Sequence, residues 1–191
     1  MTMLEAAKIC FRKGFTFSGR ATRSEFWKFI LFILLVSIAL IIVNSAIFGP
    51  TITVSYNVDS LGNPIGDPIA IRKQYSGGIF GTTFLLICAL PWITAGWRRM
   101  HDMGKPGYLP YLPFLGWWLI MFLILLAHTG VSGFFSEYAQ QSHVQVPVSG
   151  YLAGAMLVAF IIVLILNIHW LATPSESKTN KYGPNPSEVI Q

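Results

Sequence analysis

Residues 26–48 read FWKFILFILLVSIALIIVNSAIF, and this apolar run indicates the class of fold. After Lys28 it carries no charged residue, and the next one along the chain is Asp59. A helix of about 20 apolar residues crosses the hydrocarbon core of a bilayer. Because the run is too long for the apolar part of a cleavable signal peptide, we expect a retained membrane-spanning helix.

Three more apolar stretches follow, and we give their bounds as residues 79–97, 109–128 and 150–171. Of the 191 residues, 53% are hydrophobic and 11% are charged, against about 25% charged in a typical soluble domain. This composition argues against a soluble enzyme, since too little charge is present to cover a surface in water. We therefore predict an all-α membrane protein, with residues 15–175 forming four transmembrane helices as two antiparallel hairpins.

Arginine and lysine are distributed unevenly between the segments that flank these stretches. Eleven of the thirteen lie before the first span, between the second and third spans, or after the fourth, whereas Arg72 and Lys73 lie in the first loop. Cytoplasmic segments of membrane proteins carry the excess of Lys and Arg. The distribution therefore predicts a multi-pass protein with both termini in the cytoplasm. It also accounts for the net charge of +5 without nucleic-acid binding, which we do not expect.

The segments outside the spans have patterns of their own. Residues 1–14 place apolar side chains on one helical face and charged ones on the other, which predicts a short amphipathic helix at the membrane interface. In the first loop, Ile52, Val54 and Tyr56 alternate with polar residues ahead of turn-forming ones, which indicates an extracytoplasmic β-hairpin. Residues 176–191 are polar, and we assign them to a cytoplasmic tail.

Three polar motifs border the spans, namely GRATRSEFW at residues 19–27, RRMHDMGKPGY at 98–108 and NKYGPNP at 180–186. By the topology above, all three lie on the cytoplasmic side. Together they resemble the motifs of the domain of unknown function 805 family, which consists of small bacterial inner-membrane proteins. The resemblance implies a four-helix protein of the bacterial inner (plasma) membrane, and it brings no established activity or catalytic residue.

Ten polar residues of these motifs are candidates for a site. We favour a structural clasp, in which the arginines satisfy the two acids and the carbonyls at helix ends. The alternative is that surplus guanidinium groups bind an anionic group such as a lipid phosphate, or a partner protein, because the planar fork of Arg binds phosphate in bidentate fashion. The candidates are Arg20, Arg23, Glu25, Arg98, Arg99, His101, Asp102, Lys105, Asn180 and Tyr182.

Two other functions stay open. A small transporter or channel component is suggested by polar residues within the spans, such as Asn44 and Asn167, although ion-coupled carriers usually need a charge there. An enzyme acting on lipid headgroups would use His101 as its base, with Asp102 or Glu25 as an acid. We predict no enzyme, no catalytic residue, no cofactor and no metal site. The partners that we expect are the lipid bilayer, including anionic phospholipid, and a second copy or another membrane protein.

Overall fold

The computed structural model describes residues 1–58, 64–139 and 150–186, and it is mostly helical. The elements in chain order are α1 (Met3–Arg12), α2 (Arg23–Phe48), β1 (Thr51–Val58), β2 (Pro64–Gln74), α3 (Gly78–Asp102), α4 (Leu112–Ala139) and α5 (Gly150–Ala172). The chain divides into two compact units. The first contains Met1–Thr16 and Ser24–Ala95, and the second contains Phe17–Arg23 and Gly96–Gln191.

Helix α1 opens the first unit and is amphipathic. A capping box that our sequence analysis missed starts it: the Thr2 hydroxyl accepts from the backbone N–H of Glu5, and the Glu5 carboxylate accepts from that of Thr2. Its buried face consists of small side chains, Ala6, Ala7 and Cys10. Beside this face, the ring of Phe11 lies 5.6 Å from that of Phe29 in α2, edge to face.

Helix α2 and the part of α3 in this unit run antiparallel. Asn44 donates from Nδ2 to the carbonyl of Ser76, just before α3, at 3.0 Å, and the rings of Phe32 and Phe84 lie 6.3 Å apart. The C-terminal end of α2 therefore lies beside the N-terminal end of α3. A largely apolar cavity of about 490 Å³ lies between the two helices, lined by Ile30, Ile33, Leu34, Ser37, Leu85, Cys88, Ala89 and Trp92.

The strands β1 and β2 pair antiparallel, with Thr51 opposite Gln74 and Val54 opposite Ile71. The register shifts between Ser55 and Asn57. The alternating pattern thus corresponds to a two-stranded sheet. Residues 59–63, where the connecting turn of the predicted hairpin falls, lie outside the described residues, and the extracytoplasmic location stays a prediction.

Among the described residues, three helices are long and apolar enough to cross a membrane, namely Arg23–Phe48, Gly78–Asp102 and Ala153–Ala172. Within α4, residues Leu112–Ile124 form a shorter apolar helix. Helix α4 begins at Leu112, three residues after the start of the predicted span, with Pro113 in its first turn, where the missing N–H costs nothing. The helical-membrane class is confirmed, while four crossings are not.

Helix α4 also continues past His128, the last residue of the predicted third span. Gly130 interrupts it with φ 67° and ψ 165°, a conformation open only to glycine, and the helix then resumes to Ala139. In the same unit, Phe160 of α5 lies 6.5 Å from Phe114 and 5.6 Å from Trp117, ring centre to ring centre. The polar Asn167 of α5 donates to the Val163 carbonyl of its own helix.

Candidate functional site

Asp102, the last residue of α3, accepts hydrogen bonds from two arginines of the second unit. Arg20 donates from Nε to Oδ1 at 2.9 Å, and Arg99 donates from an Nη to Oδ2 at 2.5 Å. The three side chains are at most 1% exposed, and we call them the arginine cluster. A carboxylate at a helix C-terminus faces the negative end of the helix dipole, so the two guanidinium groups offset an unfavourable position.

Arg20 has hydrogen-bond acceptors at all three of its nitrogens. One Nη donates to the carbonyls of Lys178 at 2.9 Å and Gly183 at 3.4 Å. The other donates to the carbonyls of Asp102 at 3.2 Å and Glu176 at 2.5 Å. The planar guanidinium thus joins the end of α3 to the segment that follows α5.

Arg99 bonds to the C-terminal end of α5. Its Nε donates to the carbonyl of Leu171 at 3.0 Å, and an Nη donates to that of Thr173. The last carbonyls of a helix have no partner within the helix, so a guanidinium in this position caps them. Arg23 reaches the neighbouring carbonyl of Ala172 from an exposed position, at 3.5 Å.

The NKYGPNP motif folds back on the end of α3. The Asn180 amide donates to the carbonyl of His101 at 3.0 Å and to the carboxylate of Glu176 at 2.8 Å. The rings of His101 and Tyr182 stack with centres 3.7 Å apart and an angle of 4°. Nδ1 of His101 lies 3.2 Å from the carbonyl of Gly19, which only accepts, so this nitrogen carries a proton.

An aromatic group surrounds Trp97, one turn before His101. Its ring contacts those of Phe17, Tyr108 and Tyr111, with centres 5.4 to 6.4 Å apart. A side chain on Gly107 would overlap the Trp97 ring. Burial raises the pKa of Tyr111 well above its usual range, against a smaller opposite effect of its hydrogen bond to the Trp97 backbone. Trp97 thus packs against aromatic side chains of its own unit.

The ten predicted residues fall into three groups. Arg20, Arg99, Asp102, His101, Asn180 and Tyr182 meet around the end of α3. Arg23 and Lys105 are exposed, and the Lys105 ammonium lies 6.0 Å from the Trp170 ring centre. The other two are buried: Glu25 receives a long contact from Cys10 Sγ at 3.9 Å in the first unit, and the backbone carbonyl of Arg98 accepts from Ala21 at 3.1 Å in the second.

Glu176 and the backbone carbonyls of residues 171–183 also belong to the site but are not among the ten predicted residues. Glu176 had a weak sequence signal, as an acid shortly after the last span. Backbone carbonyls have none, because every residue carries one. Among the described residues, no group of three or more His, Cys, Asp or Glu is placed to hold a metal ion.

Fold and site together define a helical membrane protein in which Arg20, Arg99 and Asp102, all buried, meet where α3 and α5 end. Residues 14–135 match the family model described as "Protein of unknown function (DUF805)", and the chain belongs to this family. The first two polar motifs lie inside the match, whereas NKYGPNP lies beyond it.

The curated relatives agree with a membrane location. The chain is 29% identical over 108 residues to inner membrane protein YhaH of Escherichia coli K12, which covers 55% of this chain and 71% of YhaH. It is also 29% identical over 120 residues to inner membrane protein YhaI of the same strain, covering 61% of this chain and 78% of YhaI. No solved structure is significantly similar. The resemblance expected from the motifs is confirmed.

Proposed function

We propose that this protein crosses the inner membrane four times and that its arginine cluster is a cytoplasmic clasp, which fastens the C-terminal segment to the helix ends. One observation carries the proposal. Asp102 accepts from both Arg20 and Arg99, and both guanidinium groups also donate to carbonyls of residues 171–183.

The same contacts support four crossings. Arg20 precedes α2, Asp102 ends α3, and Thr173 follows α5, yet all three meet in one cluster. Between Asp102 and Thr173 the chain must then cross the membrane an even number of times. Since α5 is one candidate span, α4 supplies the other. The excess of Lys and Arg in these segments assigns the cluster to the cytoplasm.

Cysteine accessibility tests this topology. Thr53→Cys in β1 and Lys178→Cys after α5 replace exposed side chains, whereas the native Cys10 and Cys88 are buried. A membrane-impermeant maleimide is expected to label Thr53→Cys in intact spheroplasts, and Lys178→Cys only after permeabilisation. The unsubstituted protein serves as the control for background labelling. Labelling of both cysteines, or of Lys178→Cys alone, in intact spheroplasts would contradict the proposal.

The clasp has a physical basis in the cost of burying charge. Removing an ion from water is offset only when its partners supply a full set of well-placed hydrogen bonds. Two guanidinium groups and one carboxylate leave one uncompensated positive charge in the arginine cluster. The carbonyls of residues 171–183 place partial negative charge around it. The carbonyls of the C-terminal segment therefore help to stabilise the buried charge, and the arginine cluster in turn holds that segment in place.

Hydrogen–deuterium exchange of the C-terminal segment tests the clasp. With Asp102→Asn, we expect backbone amides of residues 171–183 to exchange faster, because the arginines lose the carboxylate that aligns them. Asp67→Asn, an exposed carboxylate in β2, is the matched control and should leave that segment unchanged. Exchange in the Asp102→Asn protein that equals the control would refute the clasp.

We assign the binding of anionic phospholipid to exposed cations, because the guanidinium groups of Arg20 and Arg99 already have acceptors within the protein. Four cations of the second unit are exposed, namely Arg23, Lys105, Lys178 and Lys181. Cytoplasmic clusters of basic residues attract anionic headgroups. Two of them lie over aromatic rings, Lys105 over Trp170 and Lys181 over Tyr182.

Native mass spectrometry with phosphatidylglycerol tests this assignment. Replacing the four exposed cations with Gln should reduce the retained phosphatidylglycerol. The matched control changes Lys105, Lys178 and Lys181 to Arg, which keeps the charge and should keep the lipid. Equal lipid occupancy in the Gln variant and the unsubstituted protein would contradict lipid binding at these residues, without bearing on the clasp.

We also propose that the protein is not an enzyme and that His101 positions the tail. Its ring is 7% exposed, stacks on Tyr182 and bonds to Gly19. His101→Phe retains a flat ring and should hold residues 180–186 nearly as well as His101, whereas His101→Ala should loosen them. Turnover of a lipid headgroup by the purified protein that both variants abolish would overturn this proposal.

A further inference from the structure

The β1–β2 sheet has one apolar face and one mostly polar face. Directly opposed residues of an antiparallel pair lie on the same face, and successive residues of a strand alternate between faces. Val54 opposite Ile71 therefore belongs to one face, and Thr53 opposite Arg72 to the other. The aliphatic side chains of the apolar face are Ile52, Val54, Ile69 and Ile71, all between 37% and 63% exposed.

This apolar face calls for a covering surface. A two-stranded sheet is at best marginally stable in water, and exposed aliphatic side chains make it prone to association. The polar face presents Thr51, Thr53, Ser55, Arg72 and Gln74, which are suited to water. Such a sheet resembles an amphipathic interfacial helix in its division of side chains, with lipid as the natural solvent of the apolar face.

The connections to α2 and α3 hold the sheet at the level where these helices end. Gly49 and Pro50 alone separate α2 from β1, and two residues span at most about 7 Å. On the other side, the carbonyl of Ser76 accepts from Asn44 of α2, and a side chain on Gly78, which has φ 55°, would overlap the Asn44 amide. Because α2 and α3 are candidate membrane spans, the base of the sheet lies at a bilayer surface.

Charge at this base also suits a lipid surface. Lys73 lies opposite Ile52, one pair from the base of the sheet, and so belongs to the apolar face. A lysine on an apolar surface extends its ammonium group along its aliphatic chain to the polar boundary. At a bilayer that boundary contains the phosphate groups, which an ammonium attracts.

We propose that the apolar face of β1–β2 lies on the lipid surface at the end of α2, with its four aliphatic side chains in the boundary between headgroups and acyl chains. Lys73 contacts lipid phosphate, and the polar face with Thr53 and Arg72 faces water. The sheet thereby anchors the α2–α3 connection to the membrane. This inference is independent of the clasp and of which leaflet contains the sheet.

The register supplies a matched test. Single cysteines replace Val54 or Ile71 on the apolar face, and Thr53 or Arg72 on the polar face, in full-length protein with Cys10→Ala and Cys88→Ala. Each carries an environment-sensitive fluorophore, and the protein is reconstituted in vesicles of phosphatidylcholine and phosphatidylglycerol. Labels at residues 54 and 71 should be quenched by nitroxide-bearing acyl chains, and labels at 53 and 72 by aqueous iodide.

Equal quenching on the two faces would overturn the proposal. So would labels at residues 54 and 71 that neither quencher reaches, since protein would then cover the face, either a second copy or another partner. Should the cysteine-free protein fail to fold, a genetically encoded fluorescent amino acid at the same four positions gives the same comparison. Lys73→Gln should reduce the difference in iodide quenching of the labels between phosphatidylglycerol-rich and phosphatidylcholine-only vesicles. An undiminished difference would contradict the contact between Lys73 and lipid phosphate.

Discussion

Helix α2 and the arginine cluster show two opposite ways in which this chain tolerates its surroundings. Along α2, large apolar side chains such as Leu34, Ile42 and Phe48 are 54% to 67% exposed. In the arginine cluster, Arg20, Arg99 and Asp102 are charged and almost completely buried. Exposed apolar side chains are unfavourable in water, and buried charges are unfavourable without partners, so the first pattern needs lipid and the second needs hydrogen bonds within the protein.

The two regions therefore depend on different properties of the sequence. Apolar side chains in lipid need the right composition, because lipid tails are about as apolar as leucine and contact any such side chain equally. Buried charges need particular partners at hydrogen-bond distance. We therefore expect substitutions to have large effects in the arginine cluster and small ones on the exposed side of α2, although α2 is the more hydrophobic.

The largest effect is expected from Asp102→Asn. It leaves two buried guanidinium groups without their shared carboxylate, and breaking a buried ion pair costs about 3–5 kcal/mol. Unfolding in detergent micelles, followed by circular dichroism, measures the loss of the free energy of unfolding. The exposed Asp67→Asn should change it by no more than about 0.5 kcal/mol. Similar losses in the two variants would contradict the expectation that the buried carboxylate of Asp102 contributes more to stability than an exposed one.

Arg20→Lys tests whether geometry matters beyond charge. The ammonium group keeps the positive charge but cannot replace a planar fork whose three nitrogens reach Asp102 and the carbonyls of Lys178 and Glu176. We expect a loss of about 1.5–3 kcal/mol, the value of a hydrogen bond to a charged group. Faster protease cleavage within residues 173–186 should accompany it.

Arg23→Lys is the matched control for that substitution. Arg23 is exposed and makes one contact of 3.5 Å with the Ala172 carbonyl. Surface charges of this kind contribute at most about 1 kcal/mol, so the control should stay near the unsubstituted protein in stability and in cleavage rate. If both lysine variants behaved alike, the charge of Arg20 alone would explain its role.

The same contrast explains how much the sequence predicts. A membrane span needs an apolar run of sufficient length and no particular tertiary partner. Residues 26–48 therefore indicate a span on their own. The sequence identifies the residues of the clasp only in part. Arg98 and Arg99 are adjacent and equivalent in composition, yet Arg99 bonds to Asp102, Leu171 and Thr173. Which of the two neighbours bonds to Asp102 depends on the rotation of α3 about its axis.

Other features lie beyond sequence patterns for similar reasons. The acceptors of Arg20 are mostly backbone carbonyls, which every residue possesses. The break at Gly130 depends on its backbone conformation, which a glycine permits without requiring. The strands, in contrast, can be predicted from the sequence. Ile52 and Val54 alternate with threonine, as expected for a strand with one apolar face, because successive side chains point to opposite faces.

A smaller effect is expected from Gly107→Ala, next to the arginine cluster in the chain. The added methyl group would overlap the Trp97 ring, and overpacking of this kind costs about 1–3 kcal/mol. Gly116→Ala, within α4, meets no atom within 4 Å and should stabilise by up to about 1 kcal/mol through helix propensity. Thermal unfolding in micelles compares the two. A destabilised Gly116→Ala would show that close packing extends into α4.

The smallest effect is expected from Ile42→Ala on the exposed side of α2. Ile42 is 64% exposed, so its side chain contacts lipid before and after the helices associate, and the free energy of unfolding should change by no more than about 0.5 kcal/mol. In the same helix, Phe29→Ala removes a buried ring that packs on Phe11 and should cost about 3–5 kcal/mol. A loss at residue 42 that approaches the loss at residue 29 would mean that protein covers this side of α2. In that case chemical crosslinking at this side of α2 should trap a second copy or a partner. The unfolding free energies and the crosslinking together therefore test whether this side of α2 faces lipid alone.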